Sequence, residues 1–136
     1  MVDRLSAERR SRLMSQIHSR NTKPELCVRS VLHGLGYRFR VHAKGMPGTP
    51  DLVFPSRRKI VFVHGCFWHG HNCRYGRAQP KSNIAFWTDK LARNRARDRR
   101  NSKLLRGLGW SVGVVWECRI KDGTWLAQAI GFLERA

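Results

Sequence analysis

The spacing of hydrophobic residues predicts two helices in the first quarter of the chain. Apolar positions recur at helical intervals over residues 6–18, behind a serine that can act as the N-cap. They recur again over residues 22–35, where Thr22 and Glu25 form a capping box and Gly36 follows the last apolar position. Each segment is therefore predicted to be a helix with one apolar face.

Shorter apolar segments further along are typical of strands, and they alternate with two more helical patterns. The predicted strands are residues 37–42, 51–54, 60–64 and 110–116. The last of these is expected to be buried. A long basic helix is predicted over 84–106 and a closing helix over 125–133. Residues 65–80 are rich in glycine, histidine and cysteine, which predicts an ordered loop held by something other than a hydrophobic core.

The order of the predicted elements, α α β β β α β α, places the chain in the α/β fold class. We expect one domain over residues 1–136, built on a β-sheet of mixed strand directions that is flanked by helices. The length suits a single domain, and 41% hydrophobic residues suffice for a core. No internal repeat or linker argues for a further division.

Charge narrows the possible functions. The chain has 27 Lys+Arg against 9 Asp+Glu, a formal net charge of +18. An excess of this size predicts a polyanionic partner, and nucleic acid is the most plausible one. No apolar run approaches the roughly 20 residues of a membrane span, and no secretory signal is apparent. We therefore expect a cytoplasmic, monomeric, nucleic-acid-binding protein that makes no contact with membranes.

Cysteine and histidine cluster in the predicted loop. Cys66, His71 and Cys73 lie close together in sequence, and Cys118 follows the last predicted strand. Three thiolates and one imidazole are the usual ligand composition of structural zinc, so this set is a candidate zinc site. The alternative is that these cysteines are unligated and only happen to lie near histidines. Cys27, inside the second predicted helix, is expected to be a small core residue.

A second group of residues suggests metal-dependent chemistry. Asp51 follows Pro50 at the start of one predicted strand, and the next strand ends at His64. This arrangement is similar to the PD-(D/E)xK nuclease layout, in which two strands bring ligands to one magnesium ion. The second acid and the lysine of that motif are missing, and a turn aspartate is the alternative. Glu25 and Asp98 also have structural alternatives to a functional role. Glu25 could serve only as a helix cap, and Asp98 could serve only as an ion-pair partner at the surface.

Three aromatic residues lie in or near the predicted loop. Phe67 and Trp68 lie inside it, and Trp87 lies at the start of the long basic helix. Exposed rings on a basic surface can wedge between bases. The same rings could equally form a small local core over the zinc site.

Taken together, these motifs resemble the very-short-patch repair (Vsr) endonucleases over most of the chain. The most specific run extends from Phe62 to His69 and continues to His71 and Cys73. The Pro50-Asp51 segment, the residues around Asp98 and the Trp116-Glu117-Cys118 segment follow in family order. The resemblance implies a restriction-endonuclease-like fold. It also implies an enzyme that nicks double-stranded DNA 5′ of the thymine in T:G mismatches, which arise by deamination of 5-methylcytosine.

The resemblance implies catalytic roles for particular residues. Asp51 and the backbone carbonyl of Val63 would bind catalytic Mg²⁺. His69 would act as general base on the attacking water, oriented by Asp98 through its other ring nitrogen. His64, paired with Glu25, would help to order the phosphate site or its metal-bound water.

The resemblance also assigns residues to zinc and to DNA. The implied ligands of structural Zn²⁺ are Cys66, His71, Cys73 and Cys118. The implied aromatic wedge is formed by Phe67, Trp68 and Trp87. The implied further DNA contacts are Met14 and Ile17, on an N-terminal helix within residues 1–20, and Lys90. The mismatch-repair protein MutL is an implied partner.

Two other functions stay open at this point. The net charge alone is compatible with a non-catalytic, zinc-containing module that binds DNA or RNA. A nuclease directed to an ordinary restriction site is the other possibility, although wedge residues are useful chiefly where base pairing is already faulty.

Overall fold

The computed structural model describes residues 22–77 and 82–135. Over these residues the elements in chain order are α1 (Lys23–Gly34), β1 (Arg40–Val41), β2 (Leu52–Phe54), β3 (Lys59–His64), α2 (Ile84–Gly107), β4 (Ser111–Trp116), α3 (Glu117–Lys121) and α4 (Trp125–Glu134). The helix predicted over 6–18, with Met14 and Ile17, lies outside the described residues. No described helix is long and apolar enough to cross a membrane.

The four strands form one sheet in the order β1-β2-β3-β4. The first two pairs are antiparallel, with Leu52 opposite Val61, whereas β3 and β4 run parallel, with His64 opposite Trp116. The parallel pair is connected through the cysteine-rich loop and α2, as a crossover connection requires. The predicted α/β class and the mixed strand directions are therefore confirmed.

Helices cover both faces of the sheet. Because side chains alternate along a strand, neighbouring residues of β2 and β3 enter two different cores. The core shared with α1 and α4 is built from Val28, Leu32, Leu52, Phe54, Val61, Val115, Trp125, Ala129 and Leu133. The core shared with α2 is built from Val53, Ile60, Phe62 and Leu105. β2 and β3 are thus fixed from both sides, and the end of β3 provides a rigid base for a site.

Local signals explain where α1 begins. Thr22 Oγ1 accepts a hydrogen bond from the backbone N–H of Glu25 at 3.3 Å, which is half of the predicted capping box. Glu25, Val28 and Leu32 occupy the buried side of the helix at helical spacing. Cys27 lies on the exposed side, so the prediction that it is a core residue was wrong.

Three elements differ from the sequence prediction. β1 covers only Arg40–Val41, because Tyr37 and Phe39 pack against the core from an irregular segment. β4 is the edge strand and has Val115 as its buried residue, so the prediction that this strand is buried was wrong. The short helix α3, which begins directly after Trp116, was not predicted.

Candidate active site

Asp51 lies immediately before β2 and is fixed by a bond to the neighbouring strand. Its Oδ2 accepts a hydrogen bond of 2.7 Å from the backbone N–H of Val63. The antiparallel register, with Leu52 opposite Val61, brings Asp51 to the end of β3. The Asp51 carboxylate and the backbone of Val63, whose carbonyl is the second implied magnesium ligand, therefore lie side by side.

Glu25 and His42 complete an acidic cluster around Asp51. Glu25 Oε2 lies 2.7 Å from His42 Nε2 and 3.3 Å from Arg29 Nη1. One ligand atom from each of Glu25, His42 and Asp51 lies within 4.8 Å of the others. Glu25 was expected to pair with His64, but among the described residues its histidine partner is His42.

Glu25 is buried and Asp51 is half-buried. Burial raises the pKa of Asp51 from 3.8 to about 7, the Val63 N–H opposes this rise, and the charge of Glu25 adds to it. A bound cation would favour the charged form of Asp51, and carboxylate oxygen atoms are the ligands that Mg²⁺ prefers.

His69 is held by two different contacts. Its Nδ1 lies 2.6 Å from Asp98 Oδ2 of α2. Its ring stacks on that of His64, with 3.6 Å between the ring centroids and an interplanar angle of 3°. Burial lowers the pKa of His64 to about 3, so that its ring is neutral. The Nδ1 of His64 is buried and has no hydrogen-bond partner within the described part of the chain.

Asp51 and His69 meet at the same end of the sheet. Asp51 is bonded to the backbone of Val63, and the next residue of β3, His64, stacks on His69. The carboxylate cluster and the His69–Asp98 pair thus flank the last two residues of one strand. A candidate metal site and a candidate base therefore both lie at the end of β3.

The loop that carries His69 is tied to the rest of the molecule at two points. Asn94 Nδ2 on α2 donates a hydrogen bond of 2.9 Å to the carbonyl of Trp68. The loop also contributes Cys66, His71 and Cys73, on both sides of His69, to the cysteine and histidine cluster. His69 is therefore positioned by its neighbours in the loop as well as by its own side-chain contacts.

The predicted zinc ligands are brought together by the fold. One ligand atom from each of Cys66, His71, Cys73 and Cys118 lies within 4.8 Å of the others, and Cys118 Sγ lies 3.6 Å from His71 Nδ1. Zn–S bonds of 2.3 Å in a tetrahedron place two sulfur atoms about 3.8 Å apart, so the set is compact enough for zinc.

The chemistry of the four side chains also fits a metal. Backbone N–H groups of Cys118 and Gly76 donate to the sulfur atoms of Cys66 and Cys73, both at 3.3 Å, as suits thiolate ligands. Burial raises the pKa of the Cys66 thiol to about 12, and burial lowers the pKa of His71. A dication would stabilise the Cys66 thiolate that burial alone disfavours.

An aromatic cluster lies between the loop and the start of α2. The ring centroids of Phe67, Trp68 and Trp87 are 5.3 to 5.8 Å apart, and all three rings are half-buried. Lys90 Nζ lies 5.6 Å from the Trp87 ring and 5.7 Å from the Trp68 ring. The residues expected to form the wedge are thus one contiguous group with a cation beside it.

Sequence reasoning missed His42 as a member of the site. The signal available was its place at the end of the predicted strand 37–42, directly before the loop that leads to Asp51. Its backbone is left-handed, with φ of 48°, a conformation in which histidine is one of the enriched residue types and which occurs often at functional sites.

The site defines a class of protein. An acid cluster and a histidine paired with an aspartate, on a chain of net charge +18, suit an enzyme that acts on the phosphodiester backbone of a nucleic acid. The family model described as DNA mismatch endonuclease Vsr matches residues 2–75. The chain belongs to this family of DNA endonucleases.

Individual relatives agree with this assignment. The chain is 59% identical over 122 residues to the type II nicking enzyme V.XorIIP of Xanthomonas oryzae pv. oryzae, with 90% of this chain and 89% of the relative covered. It is 44% identical to the type II nicking enzyme V.NmeAIP of Neisseria meningitidis serogroup A, with 90% and 86% covered. It is 41% identical to the DNA mismatch endonuclease Vsr of Escherichia coli, with 89% and 77% covered.

Proposed function

We propose that this enzyme nicks double-stranded DNA 5′ of the thymine in T:G mismatches, of the kind left by deamination of 5-methylcytosine, by Mg²⁺-dependent hydrolysis. The observation that carries the proposal is that two features lie at the end of β3. One is the Asp51 carboxylate, which is hydrogen-bonded to Val63, and the other is the His69–Asp98 pair. We infer that this end of the sheet corresponds to the PD-(D/E)xK layout.

Asp51 and the carbonyl of Val63 would hold the magnesium ion. When bound, the ion neutralises charge on the phosphate that is cut. Glu25 lies within reach of the same position and adds a second carboxylate to it. His42 donates to Glu25 and holds this carboxylate in place, although it is not itself one of the proposed ligands.

His69 would take a proton from the attacking water. With Nδ1 donating to Asp98, Nε2 is the ring nitrogen that can accept this proton. The water oxygen forms the new bond to phosphorus while one P–O ester bond of the linkage breaks, and the departing oxygen takes up a proton from solvent and leaves as a hydroxyl group. The Asp98 carboxylate stabilises the imidazolium that results, and the neutral His64 ring keeps the His69 ring in its plane.

Mismatch selectivity would begin with the aromatic cluster. A T:G wobble pair is less well stacked than a Watson–Crick pair, so inserting Phe67, Trp68 and Trp87 costs less there. Lys90, beside the rings, would contact the mismatch. Met14 and Ile17, which lie outside the described residues, are proposed to contact the minor groove.

Structural zinc bound by the three cysteines and His71 would hold the loop that carries His69 and two of the wedge residues, Phe67 and Trp68. The three proposed ligands in the loop flank these residues in sequence, and Cys118 connects them to the end of β4. Zinc would thus fix the position of the base relative to α2.

Nicking of labelled duplexes tests the proposal. The substrates are all mispairs in several flanking sequences and a fully paired control, each with and without Mg²⁺. We expect Mg²⁺-dependent cleavage of one strand at T:G, loss of cleavage in Asp51→Ala and His69→Ala, and retained mismatch binding in both variants. His33→Ala removes an exposed histidine of α1 and should nick like the wild type.

Other results would favour other functions. Binding without strand scission under any condition would indicate a non-catalytic DNA-binding module. Equal rates on the T:G duplex and on a perfectly paired duplex would indicate a nuclease directed to an ordinary site. Equal nicking by the wild type and both variants would contradict the assigned roles of Asp51 and His69.

A further inference from the structure

A cavity of about 490 Å³ lies beside the His69–Asp98 pair, on the side formed by α2 and β4. Most of its residues fall into three groups, and the others are Gly70, Asn72, Asp98 and Ser102. His64, His69 and His71 line it from the active-site end, and Val114 and Trp116 line it from β4. The third group is a row of arginines on α2, namely Arg95, Arg99 and Arg106. The cavity therefore joins the catalytic histidine to a strongly basic wall.

The arginine row follows from helical geometry. Arg95 and Arg99 are one turn apart, and Arg106 follows two turns further along the same face of α2. Each is exposed and has no ion-pair partner among the residues that the structure describes. Two other arginines of α2 do have side-chain partners, since Arg93 pairs with Asp89 at 3.1 Å and Arg97 donates to Asn94 at 2.7 Å. Asp98 also lines the cavity but pairs with His69, so these three arginines have no carboxylate partner within the described part of the chain.

Gly70 creates the space for Arg95 next to the catalytic loop. A Cβ atom at Gly70 would lie 2.2 Å from Arg95 Nη1, and the backbone φ of 61° is one that side-chain-bearing residues rarely adopt. The guanidinium consequently lies against the backbone between His69 and His71. It reaches this position only because residue 70 has no side chain.

We propose that this cavity binds a backbone phosphate of the DNA strand that is cut, next to the scissile linkage, with Arg95, Arg99 and Arg106 as the donors. The inference rests on the proposed nicking function. Guanidinium groups bind phosphate oxygens in a bidentate manner, which fixes orientation as well as charge. Because His69 and the arginines line one cavity, a phosphate held there positions the neighbouring linkage for the water that His69 activates.

Phosphate neutralisation combined with mutagenesis tests the inference. A T:G duplex is made in a series in which one phosphate at a time carries an uncharged methylphosphonate. Binding is measured without added Mg²⁺, so that it is read separately from cleavage. The variants are Arg95→Ala and, as a control of equal charge change on the same helix, Arg97→Ala.

The expected result is a coupling between one phosphate and Arg95. In the wild type, neutralising a phosphate beside the scissile one should weaken duplex binding about tenfold. Arg95→Ala should bind the unmodified duplex more weakly than the wild type, and neutralising that same phosphate should cause no further loss of its affinity. Arg97→Ala should retain the full loss there. The slope of log K against log salt should fall in magnitude by about 0.9 in Arg95→Ala and stay unchanged in Arg97→Ala.

The outcomes separate this inference from the proposed function. If Arg95→Ala and Arg97→Ala respond alike at every phosphate, the cavity is not a phosphate site, while nicking by the wild type still supports the proposed function. If the wild type shows the coupling but cleaves nothing, the phosphate site stands and the proposed function fails. If the wild type does not bind the duplex, both are overturned.

Discussion

The rings of His64 and His69 lie parallel, 3.6 Å apart between centroids, at an interplanar angle of 3°. Burial lowers the pKa of His64 to about 3, so an uncharged ring covers one side of the proposed base. The hydrogen bond to Asp98 acts in the plane of the His69 ring, and the stack acts on its face. The two contacts therefore restrict different motions, and each can be removed separately.

Replacing Asp98 by Asn should remove the charge that stabilises protonated His69 while the stack remains. We expect single-turnover nicking to fall by about 10²-fold or more, with mismatch binding retained. Asp89→Asn, which removes an exposed carboxylate of the same helix, should leave the rate unchanged. A wild-type rate in Asp98→Asn would contradict the assigned role.

Replacing Cys73 by Ser should remove one proposed zinc ligand. Purified wild type is expected to contain about one zinc per chain by elemental analysis. Cys73→Ser should lose most of it and unfold at a lower temperature. Cys27→Ser changes an exposed thiol of α1 and should keep both the metal and the melting temperature. Equal metal content in the two variants would contradict the assignment.

Asp51 predicts how the stability of the magnesium-free protein depends on pH. Its pKa in the folded chain is raised from 3.8 to about 7, so the folded state favours the protonated acid. Stability contributed by this group is present below about pH 4 and is lost as the pH rises to about 7. Relative to the wild type, Asp51→Asn should gain stability over this window, by roughly 4 kcal/mol at most at pH 8.

Thermal unfolding at pH 5 and pH 8, with and without Mg²⁺, measures this effect. Mg²⁺ should stabilise the wild type at pH 8 much more than at pH 5, and it should have little effect on Asp51→Asn. Asp89→Asn serves as the surface control. If the difference between the wild type and Asp51→Asn did not change with pH, the carboxyl group would not be perturbed by burial.

Removing the Trp87 side chain tests the wedge. Trp87→Ala should weaken binding to the T:G duplex by about 1–3 kcal/mol and binding to the paired duplex much less, so that discrimination between them decreases. Competition binding on the two duplexes provides the measurement, and the paired duplex is the internal control. Equal losses on both would indicate that the three rings form a local core instead of a reading device.

Local sequence signals predicted part of this molecule well. The predicted helix over 84–106 is observed as Ile84–Gly107, because a long polar run with a glycine stop needs no tertiary information. Cys66, His71 and Cys73, three of the four proposed zinc ligands, are close together in sequence, so their proximity in the fold was also predictable. The expected pairing of Asp98 with His69 came from the resemblance to the family and is observed at 2.6 Å.

Non-local packing limited the rest. Val114 and Val115 form one apolar run, yet only Val115 is buried, because β4 lies at the edge of the sheet and the sequence does not give strand order. Among the described residues the histidine that pairs with Glu25 is His42 rather than His64, and this pairing depends on how α1 lies against the loop before β2. Contacts of this kind follow from the assembled sheet and leave no pattern along the chain.

The four-residue metal cluster has a consequence for biosynthesis. Cys66, His71 and Cys73 leave the ribosome well before Cys118, which follows α2 and β4 in the chain. A nascent chain therefore holds only three of the four proposed zinc ligands until Cys118 has been translated. Because two of these three, Cys66 and His71, flank His69 in sequence, the proposed general base would be held by a complete ligand set only after β4 has joined the sheet.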